Sequence, residues 1–400
     1  MPKPVVDFPV FDADNHMYEK PDAFTKFLPK EYEGLIKYVQ VNGRTKIAVR
    51  NVISDYIPNP TFEVVGRPGA SEEFFKHGNP EGKSRREMIG DPIRSPEAFF
   101  SPEPRLALMD ELGLDRALMW PTLASLLEER LASDPKATHV AVHALNQWMH
   151  EHWTFNYEGR IFAAPVITLP IVSEAIKELE WVYERGAKII LIRPAPVPGY
   201  QGRRSFALPE FDPFWQRVTE LDITVGMHAS DDGLTRYYNQ WEGHPEGELL
   251  PFVGKSAFMD IAHTQSRGIF DTVASLIGHG LLSRFPTLRV LPVENGSAWV
   301  RPFVEAIGRS YAHEPAIYDE DPLMVLKRNI WIHPFHEEDP RGLIELIGVD
   351  RVVFGSDYPH IEGMSEPLSY VDELTDLSHE DLAKVMGGNL AEAMKVPFAA

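Results

Sequence analysis

The chain has 400 residues, of which 44% are hydrophobic, so it can bury a large core in one barrel-sized domain or in two smaller ones. Its formal net charge of −20 disfavours binding to nucleic-acid phosphates, and its lack of cysteine excludes disulfides, thiolate nucleophiles, iron–sulfur clusters and cysteine-ligated zinc. Because neither a signal peptide nor an apolar run of roughly 20 residues is recognisable, we expect a cytoplasmic protein with no membrane or nucleic-acid partner.

Short apolar segments alternate with longer amphipathic segments along the chain. The apolar segments predict eight strands: Val5–Asp12, Arg116–Trp120, Ile161–Ile167, Ala187–Ile192, Ile223–His228, Leu288–Val293, Asn329–His333 and Arg351–Ser356. Continuous apolar runs of this length are typical of parallel strands buried on both faces. Amphipathic patterns between them predict helices, among them Pro135–His152, Met259–Leu282 and Pro340–Ile347. This alternation predicts an α/β fold, a (β/α)₈ TIM barrel; a doubly wound open sheet would carry a glycine-rich turn after strand one, which is missing.

Two stretches interrupt the alternation. Residues 30–100 follow strand one and contain Asn42-Gly43, a strong signal for a two-residue hairpin. We predict one domain over residues 1–400, with residues 30–100 an inserted hairpin and loop region at the mouth of the barrel. A second long loop is predicted from Ser230 to Phe258, and long loops of this kind commonly cover binding sites.

The ends of three predicted strands carry metal-binding side chains. In a barrel, catalytic groups lie at the carboxyl ends of the strands. Strand one ends in the run Asp12-Ala-Asp14-Asn-His16, strand five ends at His228 and strand eight is followed by Asp357. Alternation places Asp12, Asp14 and His16 on one side of strand one. Each residue alone could be structural, but together two carboxylates and two imidazoles suit a divalent ion such as Zn²⁺ or Mn²⁺. We predict Asp14, His16, His228 and Asp357 as its ligands.

This succession of motifs resembles the amidohydrolase-related branch of the amidohydrolase superfamily, which includes aminocarboxymuconate-semialdehyde decarboxylase, resorcylate-type decarboxylases and related carbon–carbon hydrolases. The family's opening D-x-H-x-H or D-x-E-x-H motif corresponds to Asp12–His16, with Asp14 in place of the first histidine or glutamate. Its other motifs correspond to His228, to the segment Arg284–Val290 before strand six and to Gly355–His360. The resemblance covers nearly the whole chain apart from residues 30–100. It implies a metal-dependent barrel enzyme that acts on a small molecule, and it suggests a homodimer.

Two strand ends depart from the family pattern. Many members carry an acid–base histidine after strand six, where this chain has Glu294. Glu294 is either a catalytic acid–base group with a pKa raised by burial or a structural hydrogen-bond partner. Binuclear relatives carry a carboxylated lysine after strand four, where this chain has Arg193. We therefore expect one divalent metal ion, with zinc as the prediction and manganese as the alternative.

Four further residues are candidates for substrate binding. Arg193 could bind a substrate carboxylate, because a guanidinium group pairs with carboxylates through two hydrogen bonds, or it could hold its own loop through a salt bridge. Trp120, at the end of strand two, could line an apolar pocket or belong to the core. His333 and His336 flank the end of strand seven, and either could face the site.

Three functions follow from these residues. The leading prediction is a hydrolase that acts on a small carboxylate or carbonyl-containing substrate through a metal-activated water, with Asp357 as ligand and proton shuttle and Glu294 assisting. The alternative is a non-oxidative decarboxylase, in which a protonated group donates to the carbon that loses CO₂. The missing strand-six histidine favours hydrolysis, whereas the relatives favour decarboxylation. The third hypothesis is an inactive barrel that acts as a binding protein.

Overall fold

The computed structural model of this chain describes residues 6–54, 56–245, 256–262 and 266–398. Its strands are β1 Phe11–Met17, β2 Ile36–Val41, β3 Arg44–Val49, β4 Val52–Ser54, β5 Val64–Val65, β6 Ile93–Arg94, β7 Arg116–Pro121, β8 Ile161–Ala163, β9 Ile189–Leu191, β10 Val197–Gly199, β11 Gly202–Arg204, β12 Thr224–His228 and β13 Val290–Val293. No helix in the described ranges is long and apolar enough to cross a membrane.

The centre of the molecule consists of two parallel sheets of three strands each. One has the order β1-β7-β8 and the other the order β13-β12-β9. Every residue of β1, β12 and β13 is buried. Burial on both faces is what the continuous apolar runs predict, because helices cover the outside of such a sheet and side chains fill its inside.

Parallel bridges continue the hydrogen bonding beyond the two sheets. They join Val166 to Leu191, Val290 to Ile330, Ile332 to Val352 and Asn15 to Tyr358. The predicted seventh and eighth strands appear only as these bridges, which are shorter than the predicted ladders. The predicted third strand is also shorter, since β8 ends at Ala163 and the following Pro165 has no N–H to donate to a ladder.

The first strand begins later than the sequence predicts. The prediction was Val5–Asp12, whereas β1 runs from Phe11 to Met17 and so contains the polar run itself. Its pairing with β7 shifts register between Asp12 and Asn15. An irregularity of this kind re-aims side chains, so the simple alternation that grouped Asp12 with Asp14 and His16 does not hold.

Sixteen α-helices lie in the described ranges. They are α1 Glu72–His77, α2 Arg85–Ile89, α3 Pro102–Leu112, α4 Leu127–Arg130, α5 Pro135–His152, α6 Val172–Glu184, α7 Asp212–Glu220, α8 Thr235–Glu242, α9 Ala257–Ala262, α10 Ser266–Gly278, α11 Leu281–Arg284, α12 Val300–His313, α13 Pro322–Asn329, α14 Pro340–Ile347, α15 His379–Ala383 and α16 Asn389–Met394. The predictions Pro135–His152 and Pro340–Ile347 are confirmed. The single predicted helix Met259–Leu282 is wrong, because α10 ends at Gly278 and Gly280 adopts a left-handed φ of 71°.

The residues between β1 and α3 form small antiparallel sheets and two short helices. The hairpin predicted at Asn42-Gly43 is confirmed, since β2 and β3 pair up to Val41 and Arg44. Further along, the N–H of Gly69 donates to the carbonyl of His360 at 3.0 Å, and that of Ser71 to Ile361 at 2.7 Å. This region is therefore fastened to the loop that follows Asp357. The predicted loop Ser230–Phe258 contains α8, and its residues 246–255 lie outside the described residues.

Candidate active site

The four predicted ligands converge. Asp14 and His16 lie on β1, His228 ends β12, and Asp357 follows the bridge at Val352. Nε2 of His228 lies 3.3 Å from Oδ1 of Asp14, and Nε2 of His16 lies 3.5 Å both from that oxygen and from Oδ1 of Asp357. All four side chains are buried. Residues more than 340 positions apart in the chain thus present their polar atoms to one small volume. These four residues, Asp14, His16, His228 and Asp357, are called the cluster below.

The orientation of both histidines follows from their outer nitrogens. Nδ1 of His16 lies 3.2 Å from Oγ1 of Thr122, whose hydroxyl donates to the carbonyl of Met17 at 2.9 Å. The hydroxyl oxygen is therefore the acceptor, and Nδ1 of His16 carries the proton. Nδ1 of His228 donates to the carbonyl of Ala229 at 3.0 Å. In both rings Nε2 faces Asp14, so Nε2 is the nitrogen that would bind a metal ion.

The polar atoms at this point fit a divalent cation. Nε2 of His16 and Oδ2 of Asp14 are buried and have no hydrogen-bond partner within the described part of the chain. Burial, together with the charge of Asp14, raises the pKa of Asp357 well above its usual range, and burial with the charge of Asp357 does the same for Glu294. A cation among these groups would satisfy the unpaired atoms and offset the repulsion between the carboxylates.

Asp12 joins β1 to the chain segment before Asp357, and these two segments carry three of the four predicted ligands. Its Oδ1 accepts the backbone N–H groups of Asp14 and Ser356, both at 2.9 Å. Its Oδ2 accepts from the side chains of Asn15 and Ser356. Because both of its oxygens are engaged by β1 and by the segment before Asp357, Asp12 holds the predicted ligands in position and is not one of them.

A buried arginine supports the same segment from behind. Arg105 on α3 donates to Oδ1 of Asn15 at 3.0 Å, to the carbonyl of His16 at 2.7 Å and to the carbonyl of Ala98 at 2.7 Å. Burial lowers the pKa of Arg105 to about 10. The guanidinium group thus satisfies two backbone carbonyl groups, including that of the predicted ligand His16.

The backbone is strained where two carboxylates enter the site. Glu294 follows β13 with a φ of 52°, and Asp357 has a φ of 55°, both in the left-handed region that non-glycine residues rarely adopt. Gly355 allows the close approach of the same chain segment, because a Cβ there would lie 2.7 Å from Nε2 of His333 and 2.8 Å from Cβ of Asp14. Strain of this kind concentrates at functional sites.

Glu294 lies beside the cluster, as the sequence predicts for the end of strand six. Its Oε2 lies 3.3 Å from Nδ1 of His228. Its backbone N–H donates to Nδ1 of His333 at 3.3 Å, and Nε2 of His333 donates to the carbonyl of Gly355 at 3.1 Å. His333 therefore borders the cluster, 3.5 Å from Oδ2 of Asp14, with both ring nitrogens engaged.

The other predicted substrate-binding residues have different surroundings. Arg193 borders the cavity described below, but it donates to Oε2 of Glu129 at 2.9 Å and to the carbonyl of Asp231 at 3.1 Å, which is the salt-bridge arrangement. Trp120 is fully buried, and a Cβ on Gly226 would lie 2.3 Å from its ring. His336 is buried and donates to the carbonyl of Glu362 at 2.9 Å. Neither Trp120 nor His336 lines the cavity.

A cavity of about 530 Å³ opens directly onto the cluster. His16, His228, Glu294 and His360 form one end of its lining, and apolar side chains such as Tyr18 and Phe62 form much of the rest. Sequence reasoning missed His360, whose Nδ1 donates to Oδ1 of Asp357 at 2.8 Å, although it lies within the quoted Gly355–His360 motif. It predicted residues 30–100 at the mouth of the barrel but did not single out residues 56–66, which line the cavity, since no periodic pattern marks that segment.

Comparisons with known proteins agree with this architecture. The family model described as "Amidohydrolase" matches residues 15–393. A solved amidohydrolase from Mycobacterium avium subsp. paratuberculosis K-10 is 34% identical, with a TM-score of 0.92 over 98% of this chain and 99% of the other. Gamma-resorcylate decarboxylase of Rhodococcus jostii (strain RHA1) is 24% identical over 310 residues, which are 73% of this chain and 87% of that protein.

A more distant structure shares the fold. The dihydroxybenzoic acid decarboxylase of Polaromonas sp. JS666, solved with manganese and the inhibitor 2-nitroresorcinol, aligns over 97% of both chains with a TM-score of 0.59 and 14% identity. The predicted TIM-barrel class is confirmed at the level of this superfamily fold, with its mixed helices and strands. The predicted resemblance is confirmed as well: the chain belongs to the amidohydrolase family.

Proposed function

We propose that this protein is a metal-dependent, non-oxidative decarboxylase of a hydroxylated aromatic carboxylate. The observation that carries the proposal is the position of the Asp14–His16–His228 cluster at the end of a cavity lined by aromatic and apolar side chains. An apolar cavity with a few convergent polar groups binds an aryl ring and fixes its orientation. The decarboxylases among the relatives support the choice of reaction over the predicted hydrolysis.

Asp14, His16, His228 and Asp357 would hold the divalent ion, which when bound supplies positive charge to orient a carboxylate and its neighbouring hydroxyl group. The mixed nitrogen and oxygen donors suit manganese as well as zinc, and the manganese in the Polaromonas structure favours manganese here. The prediction of zinc in particular has no support beyond the donor types.

Glu294 is the proposed proton donor. Its protonated carboxyl group would deliver a proton to the ring carbon that bears the carboxylate. The electron pair of the bond to the carboxylate carbon returns to the ring, CO₂ leaves, and solvent restores the proton to Glu294. The contact at 3.3 Å between Oε2 of Glu294 and Nδ1 of His228 keeps the carboxyl group next to the cluster. Asp357 remains a ligand, oriented by His360.

The barrel and its insertion belong to the same proposal. We infer that the bridges at Val166, Ile330, Val352 and Tyr358 complete an eight-stranded ring that brings the ligands together. Residues 30–100 would then be an insertion in a single domain over residues 1–400, with its wall over the mouth of the barrel.

Hydrolysis is the second candidate, because Glu294 stands where many relatives carry a histidine. The test is to incubate the manganese-loaded protein with hydroxybenzoates in D₂O and to measure CO₂ and the phenolic product. Decarboxylation gives one CO₂ per phenol and deuterium at the carbon that lost the carboxylate. The Glu294→Gln variant should bind manganese normally and lose most of the rate. Product formed by uptake of water from esters or diketones, with no CO₂ from any benzoate, would establish hydrolysis instead.

A further inference from the structure

A row of aromatic rings, called the column below, runs from the cluster to the wall formed by residues 56–66. The rings of His16 and His360 have centroids 4.0 Å apart, those of His360 and Tyr18 5.9 Å apart, and those of Tyr18 and Phe62 are stacked at 4.3 Å. His16, His360, Tyr18 and Phe62 all line the cavity. The cavity therefore reaches well beyond the first ring that a substrate would place beside the cluster.

The wall comes from one continuous piece of chain and is mainly apolar, with Asn59 as a polar member. Ile57, Pro58, Phe62, Val64 and Val65 all line the cavity. Pro58 and Val64 are partly open to solvent, whereas Phe62 is buried and Val65 half-buried. A ligand carboxylate against Phe62 and Val65 would lose hydration, whereas an apolar group there would gain from burial. The polar end of the ligand is thus expected at the cluster and its apolar end at the wall.

Contacts at both ends hold the wall in place. On one side, the N–H groups of Gly69 and Ser71 donate to the carbonyls of His360 and Ile361, so the segment is tied to the loop of the ligand Asp357. On the other side, the ring of Tyr56 lies 5.1 Å from the guanidinium carbon of Arg130, which pairs with Asp231 at 2.9 Å. A binding surface fixed in this way loses little conformational entropy when it binds a ligand.

The size of the cavity indicates more than one ring. At about 530 Å³ it falls in the range of roughly 300–1,000 Å³ that buries ligands of drug size, whereas a simple hydroxybenzoate has only about a dozen non-hydrogen atoms. A single ring beside the cluster would leave the column at Tyr18 and Phe62 without a partner.

We propose that the substrate is an aryl carboxylate with an apolar extension, such as a second fused ring or an alkyl chain, and that Phe62 and Val65 select for this extension. The assignment rests on the proposed function for the reactive end of the molecule. It adds that residues 56–66 determine specificity.

The test compares two probes that differ by one ring: salicylate, and a hydroxynaphthoate with its hydroxyl group ortho to the carboxylate. Calorimetry on the manganese-loaded full chain would give the Kd of each, and release of CO₂ is measured separately. We expect the hydroxynaphthoate to bind about 10-fold tighter or more, because a hydrophobic pocket discriminates by roughly this factor even for one methylene group. Val65→Thr, a change of nearly equal volume, and Phe62→Ala should each reduce this advantage several-fold.

Val52→Thr is the matched control, because Val52 lies in the same inserted region but is exposed and does not line the cavity. It should leave both Kd values unchanged. Equal affinity for the two probes, no binding of the hydroxynaphthoate, or an advantage that persists in both Val65→Thr and Phe62→Ala would overturn the assignment. If the hydroxynaphthoate binds as expected but neither probe releases CO₂, the proposed reaction fails and the binding assignment stands.

Discussion

The hydroxyl group of Thr122 determines which nitrogen of His16 faces the rest of the cluster. It accepts from Nδ1 of His16 and donates to the carbonyl of Met17, so its own geometry fixes the tautomer. We predict that Thr122→Val lowers manganese affinity by about 10- to 100-fold, the usual effect of losing an outer partner of a ligating histidine. Competition with a fluorescent chelator measures this affinity.

The conservative variant separates orientation from packing. Thr122→Ser keeps the hydroxyl group and should bind manganese within a few-fold of the wild type, whereas Thr122→Val preserves the volume and should not. If both variants bind manganese as the unaltered protein does, the hydroxyl group does not orient His16.

Substitution of Asp12 tests whether its carboxylate holds β1 and the segment before Asp357 together. Both carboxylate oxygens of Asp12 accept hydrogen bonds from N–H or O–H groups. The amide NH₂ in Asp12→Asn would therefore face at least one of these donors. Burial raises the pKa of Asp12 to about 7, so the comparison is made at pH 8, where most of the carboxyl group is ionised. There we expect a loss of about 2–3 kcal/mol in unfolding free energy, because a buried hydrogen bond to a charged group is replaced by a donor–donor contact. Chemical denaturation of the metal-free chain would measure it.

The metal-free chain is essential to that comparison, since weaker metal binding would lower stability by itself. Asp115→Asn is a control at an exposed position: Asp115 also accepts a backbone N–H, from Val10 at 2.7 Å, but it does not line the cavity. A metal-free Asp12→Asn protein as stable as wild type would show that the carboxylate does not join the strands.

The two imidazoles and the aspartates of the site could be predicted from the sequence because they stand in one strand-end motif or directly after apolar runs. Arg193 shows why other roles could not: its position at a strand end is readable, but its pairing with Glu129 depends on where another helix lies. No sequence pattern marks Tyr18 and Phe62 as cavity residues, because they meet only when residues 56–66 pack against the end of β1.

Among the elements, the two helices with a marked start were predicted at both ends. Asp134 and Asp339 each cap a helix that begins with proline, and both helices match the prediction. The first strand was predicted too early in the chain because β1 contains the polar run Asp12–His16. Polar residues are buried in a strand only where they have partners, and hydrophobic periodicity does not reveal those partners. The helix predicted over Met259–Leu282 failed because an apolar pattern can continue across the break at Gly280.

The junction of α5 and α6 introduces a pH dependence. Nε2 of His139 on α5 accepts the N–H of Ile171, the residue just before α6, at 3.0 Å. Burial lowers the pKa of His139 from 6.5 to about 4. Because only the neutral ring can accept, its contribution is complete above pH 6.5 and is lost as the pH falls from 6.5 to about 4. The full loss amounts to about 3 kcal/mol.

Thermal unfolding at pH 7.5 and pH 4.5 would detect this contribution. Other groups also titrate in the interval, so the relevant quantity is the difference between wild type and His139→Gln. The glutamine carbonyl can accept the same N–H but does not titrate, and the variant should lose less Tm on acidification. An equal loss in both proteins would exclude His139 as the cause.

At the scale of the whole molecule, the proposed metal site would tie together three distant parts of the chain. The proposed ligands come from β1, from the end of β12 and from the loop after Val352, so they are not assembled in the unfolded chain. A ligand that binds only the folded state adds about 2.7 kcal/mol of stability at 100 times its Kd. We therefore expect chelation to lower the Tm by several degrees, and manganese to restore it.

Variants with one histidine removed distinguish this coupling from a general effect of ions. His228→Ala should have a low Tm that neither chelator nor manganese changes. His77→Ala removes an exposed histidine that belongs to no possible metal-binding group among the described residues and should respond like the unaltered protein. If manganese raises the Tm of His228→Ala as much as that of wild type, the ion acts elsewhere on this acidic chain. An increase confined to proteins with His228 intact would instead show that the metal and the fold stabilise each other through these strand ends.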